Sequence, residues 1–276
     1  MNKFITASYT ILKNEIKFIE KWLYYSKPYT YRVLLDTGST DGSWELLQQH
    51  AAKDRNLIIE QKTFDPWRFD VARKYNLSMV PKDVEWCLSP DLDEYYSINT
   101  LDTIQSLLKD IPNTTCIACD RLDVYSKIVR VGPPDLLPTN KIHLKDDYTW
   151  AQPIYEHLAW KHKDRYEKET YCDSIYLIHD QEFNKPQRNE LYIKMLEEEY
   201  TSNPTNTWCL WFYIYHLYIS KQLDKYIPAC YDFLKYHKDT KCKQYQEIVR
   251  DLNNLYRFHT GLSVEQKEII KQALKI

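Results

Sequence analysis

The chain has 276 residues, enough for one large domain or a domain with a helical appendage, and its 43% apolar content supports a packed core and excludes general disorder. Lys and Arg number 37 against 39 Asp and Glu, a net charge of −2, so no basic surplus advertises non-specific nucleic-acid binding. Seven cysteines form an odd set with no secretory signal ahead of them, which reads as reduced thiols and a cytoplasmic location rather than a disulfide framework.

The first half alternates two periodicities. Residues 4–9 read as a strand, and 14–25 as a helix on which Ile16, Ile19, Trp22 and Leu23 recur at helical spacing. Residues 31–36 are a second strand that ends in a glycine-bearing loop, after which Asp41 is placed to cap a helix through Trp44, Leu47 and His50. A third strand at 57–60, a helix at 69–80 and a fourth strand at 85–88 follow, and Asn99 with Asp102 signals the start of a helix through Leu108. This alternation predicts an α/β fold, a mixed, mainly parallel Rossmann-like sheet flanked by helices.

The pattern then changes. Residues 116–125 and 128–131 suggest an antiparallel hairpin, and 175–179 a late short strand. Cys116 and Cys119 form a CxxC, but three residues apart on a strand they face opposite sides, so a metal pair is not expected. From Gln187 onward the periodicity is helical, giving a division into 1–185 and a C-terminal α-helical region, 186–276. Pro204 and Pro228 are expected near helix starts. The apolar stretch 208–219 is too short to span a bilayer, and its aromatic stripe reads first as core.

Two segments carry candidate chemistry. Gly38 and Gly42, half of the four glycines, share the loop Asp36-Thr37-Gly38-Ser39-Thr40-Asp41-Gly42, which implies positive φ or a close approach of backbone to a ligand. Ligands of open α/β sheets sit at the carboxyl ends of strands, where the Asp36 carboxylate would take hydrogen bonds from a ribose or base. A plain strand-to-helix turn is the alternative. The second segment is Asp91-Leu92-Asp93-Glu94, after the apolar strand. On an extended chain Asp91 and Asp93 would project to one side and suit Mg²⁺ or Mn²⁺. A solvated acidic pair is the alternative there.

Taken together, Thr10-Ile11-Leu12-Lys13-Asn14-Glu15, Trp22-Leu23, Asp36 to Asp41, Phe69-Asp70-Val71-Ala72-Arg73, Trp86 and Asp91-Leu92-Asp93-Glu94 resemble, in order and spacing, the family 2 type of GT-A glycosyltransferase. The resemblance covers roughly the first hundred residues. It thins later, where Tyr155-Glu156-His157 replaces a His-Glu pair, Ile178-His179 matches a late histidine, and Lys74 stands where the family has asparagine. It implies a GT-A fold with a helical extension, and transfer of a sugar from a UDP- or GDP-sugar to a hydroxyl of a glycan or, less in keeping with the neutral charge, a modified DNA base. It implies that Glu15, Asp36 and Gly38 line the nucleoside pocket, that Asp41 holds the loop, and that Arg73 and Asp91 reach the donor. It further implies that Asp91, Asp93 and His179 hold Mn²⁺ or Mg²⁺, and that Glu156 is the base of an inverting reaction beside Asp93, with Asp180 and Asp173 in reserve. Competing classes are a nucleotidyltransferase acting on sugar phosphates, disfavoured by the glycine-free segment Thr6 to Asn14, and a non-catalytic carbohydrate-binding module.

Overall fold

The structure, a computed structural model, describes residues 4–125, 128–131, 139–180 and 189–276. The chain divides into two compact units, Met1–Ala151 with Glu156–Lys185, and Gln152–Tyr155 with Pro186–Ile276. The boundary expected between 185 and 186 lies outside the described residues.

The first unit is built on a nine-stranded sheet among the described residues, with β7 (Ile128–Val131) paired to β6 (Cys116–Tyr125) off the main path. β3 (Leu57–Gln61), β2 (Tyr31–Asp36), β1 (Thr6–Leu12) and β4 (Trp86–Leu88) lie side by side and all run parallel. Beyond β4 come β8 (Thr139–Leu144), β6, β11 (Glu169–Asp180) and β5 (Glu94–Tyr96), in mixed directions. A separate ribbon pairs β9 (Tyr148–Ala151) with β10 (His157–Trp160). The helices of this unit are α1 (Ile16–Ser26), α2 (Ser43–Ala51), α3 (Phe69–Ser78) and α4 (Thr100–Asp110).

Strand pleating sorts the core into layers. On β4, Trp86 and Leu88 join Ile117, Ile142 and Leu177 on one face, while Cys87 joins Ala7, Tyr9, Val33 and Trp150 on the other. Cys116 and Cys119 likewise fall into opposite layers, so the CxxC is no pair, and all seven cysteines are free thiols. The near-complete burial of β1 and β2 is what a parallel sheet covered on both faces requires. β1 runs three residues past the expected end, because its pairing with β2 continues to Leu12 opposite Asp36. Strands β5, β8, β9 and β10 are too short or too polar to show a period-2 signal in the sequence.

The second unit contains α5 (Asn189–Ser202), α6 (Thr207–Ile219), α7 (Leu223–Tyr236), α8 (Lys243–Phe258) and α9 (Val264–Leu274). The aromatic run on α6 divides. Tyr213 packs inward with Leu210, Ile214 and Leu217, whereas Trp208, Tyr215 and Tyr218 are exposed. Pro228 lies in the second turn of α7, not at its start, since the helix begins five residues earlier. No helix among the described residues is long and apolar enough to cross a membrane.

Candidate functional site

Because β1, β2 and β4 are parallel, their carboxyl ends share one edge, and the strand order reverses beside β1, where open α/β sheets bind ligands. Asp36 ends β2 and is fully buried. Its Oδ1 accepts the backbone N–H groups of Gly38 and Ser39, both at 2.7 Å. Its Oδ2 is buried with no hydrogen-bond partner, which costs free energy unless a ligand supplies a donor. Gly38 stands at φ +103°, in the region open to glycine. A Cβ there would lie 2.9 Å from Thr63 Cγ2, so the β3–α3 connection closes tightly over the turn.

The loop is tied down on its other side. Asn14, at φ 56°, accepts the Thr40 N–H through Oδ1 at 2.7 Å and donates its own N–H to Ser39 Oγ at 2.8 Å. Asp41 accepts the N–H of Ile16 through Oδ2, and the N–H and hydroxyl of Ser43 through Oδ1. Partial burial alone would raise its pKa, but these donors outweigh it and hold the carboxyl below its ordinary value. One side chain thus joins the starts of α1 and α2, with Gly42 at the N-cap of α2. Glu15 takes the N-cap position of α1, where its carbonyl accepts the Phe18 N–H.

Beyond β4 the acidic segment is a turn, not an extension. The Glu94 N–H donates to the Asp91 carbonyl at 2.9 Å, and Glu94 Oε2 accepts the Asp91 N–H at 2.9 Å. Within this turn Asp91 and Asp93 take different partners. Asp91 takes Arg73 on Oδ1 and Lys141 on Oδ2, the latter at 3.0 Å. Asp93 Oδ2 lies 3.3 Å from His179 Nε2.

These contacts belong to one ladder of alternating charge. Arg73 donates through Nε to Glu156 Oε1 at 2.6 Å and lies over the Trp150 ring, 4.6 Å from its centroid. Lys141 also donates to Glu94 Oε2 at 2.6 Å, and Arg121 approaches Glu94 Oε1 at 3.8 Å. Arg121 Nε donates to Asp123 Oδ1 at 3.0 Å, and the same oxygen lies 2.9 Å from His179 Nδ1. Burial favours the uncharged form of Asp91, but Lys141 and Arg73 outweigh it and hold the carboxyl far below the usual range. Burial opposes the imidazolium of His179, yet the Asp93 and Asp123 carboxylates raise its pKa.

Arg73, Asp91, Glu156, Asp93 and His179 are thus brought together. Of the two residues expected as reserve bases, Asp180 pairs with Lys21, and Asp173 is exposed in the irregular middle of β11. Lys74 pairs with Asp70 one helical turn away at 3.3 Å. Sequence reasoning missed Lys141, Arg121 and Asp123, which sit on strands with no motif. Only Asn14 among the missed residues had a signal, as the residue before Glu15.

A divalent cation of the Mn²⁺ or Mg²⁺ type needs carboxylate oxygens that are open to it. Both Asp91 oxygens are taken by protein cations, and Asp93 is turned to His179. Among the described residues no three His, Cys, Asp or Glu side chains gather as a metal shell. The expected set of Asp91, Asp93 and His179 does not fit the ion in this arrangement, because protein partners already hold both Asp91 oxygens and Asp93 Oδ2.

No protein-family model matches the chain, and no curated protein does. Solved structures match over almost its full length. Residues 1–349 of TarS from S. aureus in complex with UDP align at a TM-score of 0.55 and 13% identity, covering 98% of this chain and 90% of that one. The same TarS segment in complex with UDP-GlcNAc aligns at 0.54 and 12% identity, with the same coverage. The chain has a GT-A-type glycosyltransferase fold. Against a longer TarS chain, aligned at 0.54 and 12% identity, this chain spans 55% of the length. At such identities the likeness is one of fold, and the chemistry has to be argued from the side chains.

Proposed function

We propose that the chain transfers a glycosyl group from a nucleotide-diphosphate sugar to an acceptor hydroxyl, with inversion at the anomeric carbon. One observation carries the reading. At the carboxyl edge of the parallel strands, a buried carboxylate oxygen without a partner, on Asp36, ends β2, and two cations, Arg73 and Lys141, meet on Asp91 just past the end of β4. Asp36 Oδ2 would accept a hydrogen bond from a base N–H or a ribose hydroxyl, with Glu15, Gly38 and the Asp41-braced loop around it. The diphosphate would lie toward Arg73, whose guanidinium suits anionic oxygens.

In the reaction the acceptor oxygen forms its bond to the anomeric carbon as the bond from that carbon to the phosphate oxygen breaks. The electron pair leaves with the diphosphate, and the acceptor proton passes to a carboxylate. Glu156 is assigned that role, because Arg73 holds its Oε1 and fixes its position; Asp93, hydrogen-bonded to His179, stands across the turn. A Mn²⁺ or Mg²⁺ ion would add a Lewis-acid charge at the diphosphate, and no step here depends on it. The fold shared with complexes of UDP and UDP-GlcNAc supports a nucleotide-sugar donor, and the family resemblance extends the expected donors to UDP- and GDP-sugars. The acceptor is read as a glycan or another hydroxyl compound, with residues 1–185 as the catalytic domain, 186–276 as its helical extension, and the cytoplasm as the site of action.

A panel of UDP-, GDP- and dTDP-sugars, incubated with and without Mn²⁺, tests the reading through binding and slow donor hydrolysis. Asp36→Asn keeps an acceptor for Gly38 and Ser39 and turns an N–H toward the ligand. It should weaken donor binding about tenfold or more. If no nucleotide sugar is bound or hydrolysed by the native protein, the reading is wrong.

A further inference from the structure

We propose that Lys141 is a catalytic residue which, with Arg73, receives the charge of the departing diphosphate, so that donor binding needs no divalent cation. The proposal rests on the glycosyltransferase reading above and adds to it the source of the positive charge. Three observations carry it.

Lys141 is placed by backbone, not by chance. Ser89 donates both its N–H and its hydroxyl to the Lys141 carbonyl, at 2.9 and 3.1 Å, continuing the antiparallel pairing of Leu88 with Ile142. Ile142 points into the core layer, so the Lys141 side chain stands on the other face of β8. Its side chain is only 19% exposed, which is costly for an ammonium without a purpose or partners.

Lys141 and Arg73 bracket a single carboxylate, Asp91. Two monovalent cations on one anion bring the charge of one divalent cation to the place where an Asp pair was expected to hold a metal. Both have capacity for a ligand. The bonds named use two of the three ammonium hydrogens of Lys141, and Glu94 and Glu156 would keep the two cations anchored.

Asp91 is the carboxylate that can give way. Its side chain is 39% exposed, against 1% for Glu94 and 13% for Glu156. In the free protein it occupies the position that a phosphate oxygen would take. When donor binds, Asp91 turns outward and the diphosphate oxygens take up the hydrogen bonds of Lys141 and Arg73. As the anomeric carbon–oxygen bond breaks, its electron pair stays on the terminal phosphate oxygen, beside the ammonium.

The two readings of Asp91 predict opposite signs. A metal ligand at this position is indispensable, whereas a competitor for the two cations is dispensable. The test is calorimetric binding of UDP, GDP and dTDP, with uridine as the phosphate-free control, in EDTA and again with Mn²⁺. The native protein should bind one of the diphosphates in EDTA. Lys141→Gln should weaken that diphosphate about tenfold while leaving uridine unchanged, and Lys141→Arg should recover most of the loss. Asp91→Asn should bind the diphosphate in EDTA at least as tightly as the native protein. This variant keeps Glu94 and Glu156 on the cations and decides the matter even if Lys141→Gln does not fold. Binding that appears only with Mn²⁺, or that Asp91→Asn abolishes, overturns the role of Lys141 and leaves the glycosyltransferase reading standing. Failure of all three diphosphates under both conditions removes that reading, and this proposal with it.

Discussion

Lowering the pH from 7 to 5 should remove about 2 kcal/mol of folding stability through His143 alone. The ring is fully buried within one chain of hydrogen bonds. Trp150 Nε1 donates to the Tyr9 hydroxyl at 2.8 Å, the Tyr9 O–H lies 2.9 Å from His143 Nε2, and His143 Nδ1 lies 2.9 Å from the Leu144 carbonyl. Only a neutral ring with its proton on Nδ1 satisfies every atom, because a second proton on Nε2 would point at the O–H. Burial accordingly pulls the pKa down from 6.5 to about 4, against the small opposing pull of the Leu144 carbonyl. Between those values the unfolded chain binds a proton that the folded chain refuses. The stability is therefore whole above pH 6.5 and falls as the pH drops toward 4. At about 1.4 kcal/mol per pH unit the full window is worth about 3 kcal/mol, of which about 2 kcal/mol is lost by pH 5. Urea unfolding followed by tryptophan fluorescence at pH 7, 6 and 5 measures it, with His143→Asn as the non-titrating reference. The native protein should be the more stable at pH 7 and lose that advantage by pH 5. A stability difference between the two proteins that is the same at both pH values refutes the reasoning. The network also matters to the site, since the Trp150 ring it fixes is the one beneath Arg73.

Three further outcomes follow from the geometry. Arg73→Met would leave the largely buried Glu156 without its cation and Asp91 with Lys141 alone, and chemical denaturation should show a loss of about 3 kcal/mol. Gly38→Ala forces a side chain into a left-handed backbone and against Thr63, so the melting temperature should fall by an amount equivalent to about 1–3 kcal/mol, with nucleotide binding weakened in parallel. At the far end of the chain Ser263 and Gln266 form a reciprocal capping box, and Ser263→Ala should cost about 1 kcal/mol, read as fraying of α9 by hydrogen exchange.

Local patterning was enough to place β2 at its observed bounds, the turn at Asp36–Gly42 and the four helices of the first unit, because each rests on neighbours within one helical turn or one pleat. The same local signals singled out Asp36, Gly38, Asp41 and Asp91, whereas Arg73 came only from the family resemblance. What they left out are the strands that lack a period. β8 carries Thr139, Asn140 and Lys141 in sequence and shows no alternation, yet it is the strand that inserts next to β4. Asp91 and Asp93 were read as an extended continuation of the apolar strand, and the reciprocal bonds between Asp91 and Glu94 bend the chain instead.

The alternating α/β core, the glycine turn at a strand end and the acidic segment one unit later are legible in the amino-acid order, since spacing along the chain is all that those features require. Which cations meet which carboxylates emerges only on folding. Lys141 is fifty residues from Asp91, and Glu156 eighty-three from Arg73, so their meeting depends on strand order and register. Electrostatic pairing acts through distance in space, and no property of a residue's neighbours along the chain encodes it.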